Sequence, residues 1–159
     1  MKPERFLPAT LVSSGGILAP TEAQLKIFEQ LGADLERGSS RALQLALAPK
    51  DQPPPTEEQI KQREASFFSD NDSAALAAVA RSWSDLAISE AEVAKIKVPT
   101  IAIIGGADPL NVEAVNKLKS AMPMLKVVLL EKATHRTAME QPESIGALED
   151  FLKANAIKK

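Results

Sequence analysis

Three kinds of side chain able to move protons or attack a carbonyl stand at comparable places in this chain. They are Asp108, the single histidine His135, and the serine pair Ser13-Ser14. Asp108 closes the stretch Val98-Pro99-Thr100-Ile101-Ala102-Ile103-Ile104-Gly105-Gly106-Ala107-Asp108, and His135 closes Lys126-Val127-Val128-Leu129-Leu130-Glu131-Lys132-Ala133-Thr134-His135. Ser13 and Ser14 follow Pro8-Ala9-Thr10-Leu11-Val12. Each stretch begins as a short apolar run of the kind that forms a buried parallel strand, bounded by Pro or Gly. Residues just past the carboxyl ends of such strands line the edge where open α/β sheets bind ligands. An acid beside a histidine there gives a general base with a fixed orientation, and a serine on the same edge is a candidate nucleophile. The plainer reading is set beside it. Asp108 is then a turn residue bonded to its own backbone, His135 a solvated loop residue ahead of Arg136 and Thr137, and Ser-Ser-Gly-Gly a simple turn.

Composition narrows the chemistry further. The chain has 159 residues, enough for one domain with a real core, and its apolar fraction of 45% and charged fraction of 25% are those of a soluble globule. A formal net charge of -2 without a basic block leaves a nucleic-acid partner no electrostatic footprint. The absence of cysteine excludes disulfides, thiolate nucleophiles and zinc–thiolate sites, and fits a reducing compartment. One histidine excludes a multi-histidine metal site within one chain. No apolar run approaches bilayer length, and the opening Met1-Lys2-Pro3-Glu4-Arg5 lacks a signal-peptide core. A cytoplasmic protein with no membrane or nucleic-acid partner is expected. No cofactor is implied, because no phosphate-cradling glycine motif follows a strand.

The elements that must position these residues are legible in outline. Strands are expected at Pro8–Val12, Thr100–Ile104 and Lys126–Leu130. Between the first two lies a run of helices spanning 21–88. Thr21 and Gln24 have capping-box spacing for a helix to Arg37, with Leu25, Phe28, Leu31 and Leu35 on one face. Gly38 ends it. Ser39 is placed as the cap of a short helix with Leu43 and Leu47 inward, and Asp51-Gln52-Pro53-Pro54-Pro55 as a stiff connector. Thr56 and Gln59 repeat the capping spacing, and a further helix points Leu76, Val79 and Trp83 inward. A helix over Val112–Met122 buries Val115, Leu118 and Met122. A last helix starts at Pro142, a favoured first position, with Ile145, Leu148, Phe151 and Leu152 as its apolar face and a solvated basic end.

These residues resemble a family. Val98-Pro99-Thr100 leading to Gly105-Gly106-Ala107-Asp108 is similar to the strand and acid turn of α/β-hydrolases. Lys132-Ala133-Thr134-His135, then Glu140-Gln141-Pro142-Glu143 and a helix ending Phe151-Leu152, is similar to their histidine turn and closing helix. Pro3-Glu4-Arg5 before a strand resembles the passage after the nucleophile's helix, and the 21–88 helices resemble the inserted cap. The resemblance covers the whole chain, residues 1–159, as a single truncated domain. It implies an α/β fold in which a three-stranded parallel sheet, half of the family's sheet, carries flanking helices and the cap insertion. It implies Asp108 as orienting acid and His135 as base. The family's Gly-x-Ser-x-Gly elbow and its oxyanion-hole residues have no counterpart in the sequence, and Thr134 stands where the family places a glycine.

The resemblance leaves three expectations. One is weak carboxylic-ester hydrolysis of a small ester, with Ser13, Ser14 or a water attacking. Another is an inert assembly module. The third is half of a split hydrolase that needs an N-terminal partner chain. The first strand, as an uncovered sheet edge, predicts a homodimer joined there or through apolar helix faces. A Met-Lys opening at a point that is mid-domain in the family predicts a naturally shortened or engineered chain.

Overall fold

The computed structural model describes residues 8–49 and 52–156. Pro3-Glu4-Arg5, Asp51 and the terminal Lys158-Lys159 lie outside the described residues. The chain divides into two compact units, one formed by residues up to Leu18 together with those from Ile88 onward, the other running Ala19–Ala87.

The first unit is built on three parallel strands in the order β1-β2-β3: β1 Ala9–Val12, β2 Thr100–Gly105 and β3 Lys126–Leu130. The register pairs Val12 with Ile103, and Ile103 with Val128. The expected strands are therefore present, the sheet is parallel, and β2 is its centre. Every residue of β2 is buried, as a strand covered on both faces requires. Its side chains alternate. Ile101 and Ile103 pack with Phe151, Leu148, Val128 and Leu130 on one face, while Ala102 and Ile104 pack with Val115, Leu118, Met122 and Leu125 on the other. The helices covering those faces are α6 Pro109–Ala121 and α7 Pro142–Ala154.

Two expectations about these helices are corrected. Helix α6 begins three residues before Val112, because Asp108 caps it and Pro109 fills the first turn. On α7 only the Leu148–Phe151 stripe meets the sheet. Ile145 is 52% exposed and Leu152 43%, and the buried residue near the helix start is Ser144, whose hydroxyl donates to the Ala138 carbonyl. A short helix, α5 Glu90–Val93, had no counterpart in the sequence reading. A full capping box between Ser89 and Glu92 starts it.

The second unit is all helical: α1 Glu22–Glu36, α2 Arg41–Ala46, α3 Glu57–Ser69 and α4 Ser73–Ser82, followed by a 3₁₀ turn over Trp83–Leu86. The capping boxes at Thr21–Gln24 and Thr56–Gln59 both form, each satisfying two otherwise orphaned amides. The core joins Leu31 and Leu35 of α1 to Ala77 and Ala80 of α4, with Leu43, Phe67, Phe68, Leu76 and Trp83 around them. Small residues let α1 and α4 approach closely: a Cβ on Gly32 would stand 2.7 Å from Arg81 Cγ. That is why Ala77 and Ala80 face inward, and why Val79, expected there, is 55% exposed. Leu25 likewise lies at the exposed end of its stripe. Ser39 does serve the start of α2, its hydroxyl accepting from Arg41 N (3.3 Å). Its hydroxyl donates to Glu64 Oε1 (3.0 Å), and Ser40 stands at the cap position.

Candidate active site

The carboxyl ends of β1, β2 and β3 present the sequence-singled residues together. The β2 and β3 turns are stitched by main-chain bonds. Gly106 N donates to Leu130 O (2.8 Å), Ala107 N to Ala133 O (2.9 Å) and Asp108 N to Gly105 O (3.1 Å). The approach is so close that a Cβ on Gly105 would lie 2.4 Å from Ala133 O and 2.6 Å from Thr134 O. Glycine is needed at Gly105 for space, not for its dihedral freedom. The histidine turn is then closed by threonines. Thr134 N donates to Thr137 Oγ1 (2.9 Å) and Thr137 N to Thr134 Oγ1 (3.3 Å). Among the described residues the non-glycine positions with positive φ are Ser13 and Ala19. Thr134 therefore needs no left-handed backbone.

This framework sets His135 Nδ1 2.9 Å from Asp108 Oδ2. The carboxylate is fully buried, and the imidazole side chain is 33% exposed. An ionised carboxylate only accepts, so a hydrogen bond between these two atoms needs the hydrogen on Nδ1, which makes Nε2 the ring's acceptor. The turn reading of Asp108 is realised as well. Its Oδ1 accepts from Asn111 N (3.3 Å), capping α6. One carboxylate serves as helix cap and histidine partner at once.

Asn111 joins this pair, although no motif in the sequence singles it out. Its Nδ2 donates to Asp108 Oδ2 (2.8 Å) and lies 3.2 Å from His135 Nδ1, while its Oδ1 accepts from Gly15 N (3.2 Å). The signal available in the sequence was the Asp108-to-Asn111 spacing, that of a cap residue and its third helical residue.

The serines lie beside this pair without reaching its ring. Ser13 N donates to Ile103 O (3.0 Å), and Ser13 Oγ to the main-chain oxygen of His135 (3.0 Å). Its φ of +47° is a strained value for a residue with a side chain. Ser14 is exposed, and its Oγ accepts from Gly16 N (3.2 Å). Next to them Gly15 is pressed on α6, where a Cβ would stand 2.4 Å from Ala114 Cβ. Among the described residues no cluster of acidic, histidine or cysteine side chains suits a metal ion, and no helix is long and apolar enough to cross a membrane.

No family model and no curated protein matches the chain. Solved structures do. MenH from S. aureus is 18% identical with a TM-score of 0.62, the match covering 94% of this chain and 60% of that one. A thermophilic esterase is 23% identical with a TM-score of 0.62, covering 99% and 60%. A hydrolase from Pseudomonas aeruginosa PA01 is 18% identical with a TM-score of 0.60, covering 94% and 57%. The chain spans about 60% of the length of these structures. At such identities the likeness is one of fold. Strand order, the two turns and the flanking helices together show that this chain carries a partial α/β-hydrolase fold, the part that bears Asp108 and His135.

Proposed function

We propose that this chain supplies the acid and base of a carboxylic-ester hydrolase site, with His135 as general base and Asp108 as the group that orients it. The observation that carries this reading is the 2.9 Å contact between Nδ1 and a fully buried carboxylate at the carboxyl edge of the sheet. In the proposed reaction Nε2 takes a proton from an attacking hydroxyl as its oxygen adds to the ester carbonyl. The imidazolium formed is stabilised by Asp108, and the proton is returned to the departing alkoxide. Water is the attacking group that this geometry favours, because Ser13 Oγ is directed at a main-chain oxygen and Ser14 Oγ at Gly16 N. A water-driven reaction lacking a serine and its oxyanion donors is slow, since one such donor alone is worth about 10²–10³ in rate.

The placement of the serines also favours a second reading, that of a split hydrolase. The nucleophile then comes from another segment that pairs with the outer strand β1, and the hydroxyl deprotonated by Nε2 is that segment's serine.

The test is hydrolysis of a short-chain p-nitrophenyl ester by the purified chain, His135→Ala and Ser13→Ala/Ser14→Ala. Activity lost in the histidine variant and kept in the double serine variant is expected. Equal rates in all three would overturn the base assignment. Activity that appears only when an N-terminal hydrolase half is added would establish the split reading.

A further inference from the structure

We propose that Asn111 is a positioning residue that holds His135 in the Nδ1–H tautomer. The inference rests on the reading of His135 as a base, and on two hydrogen bonds of a single amide. Nδ2 donates to Asp108 Oδ2, the same oxygen that faces the histidine ring. Nδ2 also lies 3.2 Å from His135 Nδ1, where donor faces donor in the Nδ1–H form, so this contact opposes that tautomer and the bonds made through Asp108 have to outweigh it. Oδ1 accepts from Gly15 N, on the turn after β1. The amide's polarity is fixed by these neighbours: a main-chain N–H needs an acceptor and a carboxylate needs a donor, so Oδ1 must face Gly15 and Nδ2 must face Asp108.

The consequence concerns rotation of the carboxylate. Oδ1 of Asp108 is held by the main chain of Asn111 and Oδ2 by its side chain. With both oxygens fixed, the lone pairs of Oδ2 are aimed at Nδ1 whether or not the ring is present. An aspartate tied only through Oδ1 could turn Oδ2 away and leave the ring to choose its own tautomer. The ring's other nitrogen would then carry the proton, and Nε2 could no longer accept one. In a serine protease, replacing the orienting aspartate by asparagine enforces the wrong tautomer and lowers turnover by about 10⁴. Asn111 therefore acts through Asp108 and does not touch the reacting atoms. Its anchor on Gly15 is itself rigid, because Gly15 is pressed on Ala114 and Val115 of α6. One side chain thus joins the turn after β1, the start of α6 and the histidine.

The chain's single histidine makes the test direct. In ¹⁵N-labelled protein carrying no histidine tag, ring ¹⁵N–¹H correlations at alkaline pH report the neutral tautomer without ambiguity. Wild type is expected to show Nδ1–H, and Asn111→Ala to lose that pure pattern as the Nε2–H form appears. A side chain that merely anchors the loop would shift the Gly15 amide signal and the melting temperature while leaving the ring pattern unchanged, and that result would overturn the proposal. So would an Nε2–H ring in wild type. If Asn111→Ala does not fold, the wild-type side-chain amide decides. Protons of Asn111 Nδ2 protected from solvent exchange support the clamp, and exchange at the rate of an exposed amide overturns it. The readout needs no substrate, so a chain without esterase activity and a histidine that Asn111 does not position are distinguishable results.

Discussion

At the scale of single residues, Asp108 does two jobs that substitution can separate. Asn is as good an N-cap as Asp, so Asp108→Asn keeps the bond to Asn111 N. It replaces a carboxylate by an amide beside Nδ1, and an amide can donate there and stabilise the wrong tautomer. Any ester hydrolysis is expected to fall by about 10³–10⁴, with a melting temperature close to that of wild type. Asp108→Ala should lose activity and about 1 kcal/mol of stability together. Paired rate and thermal-unfolding measurements on the two variants check this. Activity surviving in Asp108→Asn would show that the acid is only a cap. Asp108 and His135 were legible from one sequence because each ends an apolar run. Asn111 was not, because its role depends on three groups drawn from separate turns, and an Asn after Asp-Pro-Leu looks like any polar first-turn residue.

At the scale of elements, strands were easier to read than helix faces. β2 is buried on both sides, and an unbroken Thr-Ile-Ala-Ile-Ile run states that directly. A helix face depends on what lies opposite, so periodicity alone turns Val79, Ile145 and Leu152 inward, whereas all three are exposed. Periodicity starts α6 at Val112, three residues late, because Asp108 belongs to the helix as its cap as well as to the turn. The two turns that carry the site depend on Gly105, where a Cβ would meet main-chain oxygens on the neighbouring turn. Backbone atoms cannot step aside as a flexible side chain can. Gly105→Ala is therefore expected to destabilise the chain by about 1–3 kcal/mol and to displace His135 from Asp108. Urea unfolding and the histidine ring signals measure both effects. A stable variant with an unchanged ring spectrum would show that the turns can separate without cost.

At the scale of the whole molecule, we propose that β1, one of the two edge strands of the described sheet, is where this chain assembles. It pairs on one side with β2, and Ala9–Val12 carries none of the charged side chains that natural sheets place on open edges. The proposed assembly is a homodimer, closed through that strand or through apolar helix faces. Size-exclusion with light scattering at micromolar concentration tests it, and a clean monomer would sink it. Introducing Thr10→Lys at the exposed position of β1 should shift such a dimer toward monomer while leaving the Asp108–His135 pair intact.

The shared carboxylate also bears on how such a site would age. A side chain that holds a helix end is kept by selection for foldedness alone, so Asp108 would persist in a lineage whose ester chemistry had lapsed. The imidazole of His135 caps no helix and is partly open to solvent, and nothing comparable would protect it from drift. Of the two, the histidine is the more informative relic to follow across descendants of this chain. Its replacement beside an intact aspartate would date the loss of function, whereas replacement of the aspartate would register chiefly as a loss of stability.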